Sequence, residues 1–396
     1  MSSKNNYSGF LTNCYISFVS YDKYVVESEY FCKKRNCFRM KRVCCFFILP
    51  MFFMVICGTI HAQNRDAVTL GGWIDAQYRY MNDNGGESSV MQIRRARMDM
   101  KGKLADRLDF RLQADFAASP KLIDAFAKIK FADAAQLQVG QFKIPFSLEN
   151  KLSPLDLELT DNALAVKYLS GYSDVTGIGS YANGRDIGVL LAGELFKYED
   201  SHGTMPLVRY GVGLFGGNGI NVKTDDMWKD LSARIELCPF VRDVVISGSA
   251  YIGKYEMLAA GQPTGTGGDR RRWAVGAQYD NRHLTLRSEC LWGVTDFAVY
   301  DAIHDSYTSE GMYSRAWYVT GGYWITTGSN VRMRPVARYD HFEKDAAKNT
   351  YTDCYSAGME WWAWGCLRLQ LAYTLTDKKG NNALGHSVTT MATVKF

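Results

Sequence analysis

Basic residues in this chain recur two apart, the spacing that places side chains on one face of a β-strand. Arg95, Arg97, Lys101 and Lys103 alternate with Ala96, Met98, Met100 and Gly102, and Asp99 stands among the cations on their face. Arg111 lies on the polar face of the run 107–116, Lys128 and Lys130 share a face with Asp124, and Arg332, Arg334 and Arg338 share another. Lys143 precedes Pro145, and Arg185 opens the run that follows. A guanidinium offers phosphate a planar fork and an ammonium a point charge. Set around a watery lumen, such groups replace part of an anion's hydration, and a series of weak sites lets it move on. Asp99, Asp109, Asp115 and Asp124 sit among these cations, so mutual pairing of the two signs is the competing reading.

Other chemistry has little support. After residue 63 the histidines are His202, His283, His304, His341 and His386, scattered without metal-ligand spacing, and His304-Asp305 and Asp340-His341 are the pairs to inspect for a hydrolase. Cys238, Cys290, Cys354 and Cys366 likewise lack ligand spacing. Gly216-Gly-Asn-Gly219 punctuates a turn, because no helical period follows it. No enzyme activity, metal or cofactor is expected.

The cations need strands to carry them. In Arg107-Leu-Asp-Phe-Arg-Leu-Gln-Ala-Asp-Phe116 the apolar residues Leu108, Phe110, Leu112, Ala114 and Phe116 face one way and the polar ones the other. Such stretches fall near 68–81, 91–104, 107–116, 121–131, 135–144, 185–197, 206–216, 229–239, 243–256, 271–280, 283–296, 312–325, 331–342, 353–362, 365–376 and 387–396. Tight connections such as Ala105-Asp106 and Asn281-Arg282 alternate with longer polar links at 82–90, 217–228, 257–270, 297–311, 343–352 and 377–386. Two links depart from this, 117–120 being short and 198–205 long. The pattern predicts an all-β fold, a transmembrane antiparallel barrel of about sixteen strands with lipid outside and water within.

The N-terminus fits export. Met40-Lys41-Arg42 is basic, Val43 to Ile60 is apolar, and Ala62-Gln63 offers a small-residue cleavage site. Residues 1–39 read as an upstream extension or a long n-region, 40–63 as a signal peptide cleaved near Gln63, and 64–396 as one barrel domain. Residues 1–63 carry 8 of the 46 basic and 3 of the 41 acidic residues, which leaves 46 − 8 = 38 against 41 − 3 = 38. The overall excess of +5 therefore belongs to the leader, and nucleic acid is not an expected partner.

After Gly140-Gln-Phe-Lys-Ile-Pro-Phe-Ser-Leu-Glu149 the alternation stops, and it resumes at Arg185-Asp186-Ile187. Pro145 ends the strand. The link carries Leu148, Leu152, Leu155, Leu157, Leu159, Leu164 and Leu169, too apolar to lie in water, so this third external loop is predicted to fold into the barrel mouth. A lid across the outside, or a subunit contact, is the alternative.

The run Gln92-Ile-Arg-Arg-Ala-Arg-Met-Asp-Met-Lys-Gly-Lys-Leu104, followed by Asp124-Ala-Phe126, Gly140-Gln-Phe-Lys-Ile-Pro-Phe-Ser-Leu-Glu149, Gly184-Arg-Asp-Ile-Gly-Val189 and Pro335-Val-Ala-Arg-Tyr-Asp340, resembles the phosphate-selective porin O and P family. The resemblance implies a sixteen-stranded bacterial outer-membrane porin, a homotrimer without cofactor, through which small anions such as phosphate or polyphosphate diffuse. It also implies the lipid bilayer and lipopolysaccharide as surroundings, and recognition by the barrel-assembly machinery through the strand ending in Phe396. Passage of other solutes without selectivity is the alternative, followed by a plugged barrel acting as an assembly or anchor protein, or an outer-membrane hydrolase. N-terminal sequencing of membrane-extracted protein is expected to begin near Asn64; a product still carrying residues 1–39 would show the leader to be wrongly placed.

Overall fold

The computed structural model describes residues 68–396 apart from 84–85, 178–182, 201–202, 224–226, 240, 242, 260–261, 328–329 and 382. The expected extension and signal peptide lie outside the described residues. Sixteen strands follow in order: β1 (Val68–Asp83), β2 (Gly86–Ala105), β3 (Leu108–Asp115), β4 (Lys121–Ala132), β5 (Ala135–Lys143), β6 (Arg185–Asp200), β7 (Gly203–Phe215) and β8 (Asp230–Leu237). The second half comprises β9 (Val244–Ala259), β10 (Gln262–Asp280), β11 (Leu284–Asp301), β12 (Ser306–Tyr323), β13 (Val331–Asp345), β14 (Thr350–Ala363), β15 (Leu367–Lys378) and β16 (Gly385–Lys395). Trp324 interrupts β12, whose tail Ile325–Thr326 goes on pairing with β13.

Each strand pairs antiparallel with its neighbours in sequence, and β16 pairs with β1 from Trp73 opposite Lys395 to Asn82 opposite His386. Gly72 and Phe396 extend this seam by exchanging two backbone hydrogen bonds of 3.0 Å. Closure leaves no unpaired edge for hydrocarbon to meet. Along β12, Ser314, Ala316, Tyr318 and Thr320 point inward and are buried, whereas Tyr313, Trp317, Val319 and Tyr323 are exposed on the outer face. Exposed apolar rows of this kind need lipid, and the described residues contain no helix long and apolar enough to cross a membrane.

The structure corrects several link lengths. Residues expected as long polar links at 82–90, 257–270 and 297–311 mostly continue the strands, and β11 and β12 stay in register to Asp301 opposite Ser306. Above the membrane both faces of a hairpin meet water, so alternation of hydrophobicity ends while the hydrogen-bond ladder does not. The same holds at 198–205, where β6 runs to Asp200 and β7 starts at Gly203.

The 144–184 segment turns into the lumen. Its base is closed by Ile144 N–H donating to the Gly184 carbonyl at 3.0 Å, and Asn150 bonds the carbonyls of both residues at 3.2 Å. Gly184 has φ 67, and a side chain there would run into Asn150. A short helix, α1 (Leu164–Leu169), follows. Phe146, Ala163, Ala165, Val166 and Leu169 pack on the inward Tyr251, Ala274, Leu291, Ala316, Tyr318 and Phe342 of β9–β13. Leu159 packs with Val336 and Ala372. The leucine-rich link thus finds an apolar patch on one wall, which excludes the external lid.

The closing seam depends on two residues without slack. A side chain at Gly72 would meet the Arg97 carbonyl and the Phe396 ring, the latter at 2.8 Å. Gly72→Val, or deletion of Phe396, is expected to lower the membrane-inserted, heat-modifiable fraction on a gel severalfold. Unchanged insertion of both variants would disprove the seam described here.

Candidate functional site

The loop is held by charge as well as by packing. Glu289 on β11 accepts from Ser147 Oγ at 2.9 Å and Leu148 N–H at 2.7 Å. Arg287 forms a bidentate pair with Glu158 at 2.9 and 3.0 Å, and Arg368 on β15 donates to the Leu157 carbonyl. Arg338 donates to the Asp161 carbonyl at 2.8 Å, and Asp340 accepts from Leu164 N–H at 3.0 Å. Arg272 on β10 grips Asp174 at 2.8 Å. Burial pushes the Asp174 carboxyl up, but the charge and hydrogen bonds of Arg272 outweigh it and hold it at about 2. A carboxylate with a depressed value contributes above its unfolded value and is lost as pH falls through the folded one, so this tie survives mild acid. Removing one partner from such a buried pair costs ~3–5 kcal/mol. With several ties in place the loop is a fixed partition rather than a hinged lid.

On the far side of the lumen Asp161, carried by the loop, meets both Arg79 of β1 and Arg94 of β2, the latter at 2.5 Å. Burial raises its carboxyl, and the charges of Arg94 and Arg79 reverse that shift and hold it well below the usual range. Even alternation would aim Arg94 outward. A bulge opposite Asp75 and Ala76 takes up the extra residue, so Arg94 and Arg95 both reach the interior. A cation facing mid-membrane lipid costs ~2–4 kcal/mol, and that cost was the signal in the sequence for a bulge at Arg94-Arg95.

The twelve basic candidates separate into groups. Arg95 pairs with Asp75 at 2.9 Å, and Arg97 pairs with Asp115 at 3.0 Å beside the Trp73 ring. Arg111 pairs with Asp99 at 2.8 Å and Asp124 at 3.3 Å, and Arg185 with Asp124 at 2.6 Å. Lys143 donates to the Asn150 and Leu152 carbonyls, which makes it a tether for the loop. Lys128 and Lys130 lie lower, on Asp109 at 3.4 Å and Asp133 at 2.6 Å, while Lys101 and Lys103 are exposed with no ion pair among the described residues. Arg338 is taken up by Asp340 at 2.8 Å and by the loop carbonyls. Arg332 and Arg334 stand apart, in a separate chamber under β12–β14.

Two cavities follow the basic wall. One of 210 Å³ is lined by Arg94, Arg95, Arg97, Lys121 and Lys167, with Asp115 and Asp161. Five cations face two carboxylates there, or three when Asp75 beside Arg95 is counted. The next, of 270 Å³, is lined by Arg97, Arg111, Lys143, Lys151, Arg185 and Arg234 with Asp124; the flanking Asp99, Asp115 and Glu236 raise the carboxylates to four against six cations. Arg97 lines both. Lys121, Lys167, Arg79 and Arg94 were not singled out from the sequence. Lys167 lies in the loop, where no strand period applies.

The hydrolase pairs do not form. His304 bonds Asp301 at 2.6 Å while Asp305 accepts from Tyr300, and Asp340 faces the lumen while His341 faces outward onto Asp353 at 2.6 Å. The described residues hold no cluster able to bind a metal.

Residues 67–396 match the family described as phosphate-selective porin O and P. The chain belongs to this family. It is an outer-membrane porin. Among solved structures it is similar to an anion-selective porin from Comamonas acidovorans at 12% identity, with a TM-score of 0.56 over 83% of this chain and 99% of that one. OmpF of Salmonella typhi, in complex with daunomycin, gives 14% and 0.56 over 83% and 97%. OmpT of Vibrio cholerae in its trimer form gives 11% and 0.56 over 83% and 99%. Identities this low show the shared fold alone. No curated protein matches the sequence.

Asp161 pairs with two arginines, Arg79 and Arg94, across the lumen of this porin. Asp161→Asn is expected to move the reversal potential under a salt gradient further toward anions while the barrel inserts normally. A shift toward cations would show that Asp161 does not face the conducting water.

Proposed function

We propose that the protein passes small anions, phosphate among them, by diffusion along the wall formed by β1–β8. One observation carries this reading: two cavities in series, joined at Arg97, each hold more cations than carboxylates, even with the loop tether Lys143 left out of the count. The loop covers the apolar patch of β9–β13, so water and ions are left the basic side. An anion entering from outside meets Lys121 and Lys167, then the guanidiniums of Arg94 and Arg97. Planar forks suit phosphate oxygens, and incomplete neutralisation keeps each site weak enough to release its ion. No group here acts as a nucleophile or base, so the reading needs neither enzyme activity nor cofactor. The exposed apolar surface fits a bilayer with lipopolysaccharide, insertion by the barrel-assembly machinery through the strand ending in Phe396, and a homotrimer like the trimeric form of OmpT.

Nonselective passage is the competitor, and charge reversal separates the two. Lys121 and Lys167 form no ion pair among the described residues, so changing them breaks no salt bridge. Lys121→Glu with Lys167→Glu turns five cations against three carboxylates into three against five. The reversal potential is expected to move toward cations at 0.1 M salt, and added phosphate should block chloride current less. The shift should shrink at 1 M, where the screening length falls from ~10 Å to ~3 Å. An unchanged reversal potential at low salt would remove the upper cavity from the path.

A further inference from the structure

At the rim that bears the short turns, the lumen opens under β12–β14 into a chamber of about 880 Å³. It shares no lining residue with the two cavities of the anion path. Ligand sites commonly enclose ~300–1,000 Å³ and combine apolar rings with a few polar groups. Three indoles line this one: Trp324, Trp362 and Trp364. The Trp324 ring carries the guanidinium of Arg332 at 4.2 Å and that of Arg334 at 4.4 Å. Arg334 is neutralised by Glu360 at 2.7 Å, whereas Arg332 has no carboxylate partner among the described residues. Stacking on an indole fixes Arg332 in direction without cancelling its charge.

Trp364 is the odd residue. It is 70% exposed and sits in a tight turn at φ 52, a conformation that suits glycine or asparagine. A large ring held there lies against the chamber instead of packing into the wall, and strain of this kind marks functional positions. Asp156 from the loop and Asp280 at the end of β10 add carboxylate acceptors to the same space.

Indole faces stack on the C–H faces of a sugar ring, carboxylates accept from its hydroxyls, and a single free guanidinium takes one anionic group. We propose that this chamber binds a phosphorylated monosaccharide, with its ring against Trp362 and Trp364 and its phosphate on Arg332. The two carboxylates repel a phosphate from the rest of the chamber and so set its orientation. Inorganic phosphate lacks the ring, and neutral sugar lacks the charge.

Single-channel recording in a planar bilayer tests this with glucose 6-phosphate, glucose and inorganic phosphate as probes. Glucose 6-phosphate added on the short-turn side is expected to give brief current blocks, at roughly tenfold lower concentration than either other probe. Trp364→Gly should raise the blocking concentration about tenfold, and Arg332→Gln should abolish the preference over glucose. Equal blocking by inorganic phosphate, or blocks unchanged in both variants, would overturn the proposal. If neither variant inserts, the wild-type protein decides by sidedness, since equal blocking from the loop side places the site elsewhere. Ion selectivity is read separately from the reversal potential in chloride, so failure here leaves the anion path standing.

Discussion

A backbone amide in hydrocarbon must find its partner within the protein, because lipid offers none. Everything in this barrel follows from that requirement. It demands closure of β1 on β16, and closure places Gly72 against Phe396 with no room for a side chain. It fixes an inside and an outside for every strand, so alternation carries charge inward and aromatic or branched residues outward. Where the membrane ends the requirement relaxes, and the hairpins of β9–β10 and β11–β12 run on, with polar residues and glycines predominating on both faces over the first residues of β10 and β12.

An interior wide enough for sixteen strands would be a hole if left empty. The loop divides it unequally, because only one wall offers an apolar surface. Tyr251, Leu291, Tyr318 and Phe342 receive the loop, and the lumen-facing arginines Arg287 and Arg368 pin it. Those two guanidiniums are spent on loop carboxylates and carbonyls. What remains open to water is the opposite wall, where the neutralisation of cations is incomplete. The position of the loop therefore also decides which charged wall is left open to water.

The strand count, the inward face of each basic ladder and the entry of the loop were legible in the sequence, since each rests on a period or a break in a period. The role of an individual cation was not. Spacing placed Arg95, Arg97, Arg332 and Arg334 alike on an inward face, but it cannot say which carboxylate lies across the ladder or which chamber a face lines. Arg94 was not singled out, because even alternation aims it outward and only the bulge, which shifts register by one, turns it into the lumen. Lys167 was invisible because the loop has no period, and Lys143 looked like a pore cation until its carbonyl partners were in view. Local periodicity reports direction, whereas neutralisation depends on partners that are 61 residues apart for Arg185 with Asp124 and 129 for Arg287 with Glu158.

Charge in such a lumen is thus better counted per cavity than per chain. Over residues 64–396 the basic and acidic residues balance at 38 each, which on its face argues against any preference. Coulomb interactions fall off over ~8–10 Å at physiological ionic strength, so an ion in the upper cavity does not feel the acidic residues of the far rim. It feels Arg94, Arg97, Lys121 and Lys167 with Asp115 and Asp161 between them. Buried pairs such as Arg334 with Glu360 present almost no field at a distance, and their contribution is to the shape of the wall. A barrel with zero net charge can for that reason hold a positive passage, provided its surplus carboxylates face water at the rims and its surplus cations face the constriction.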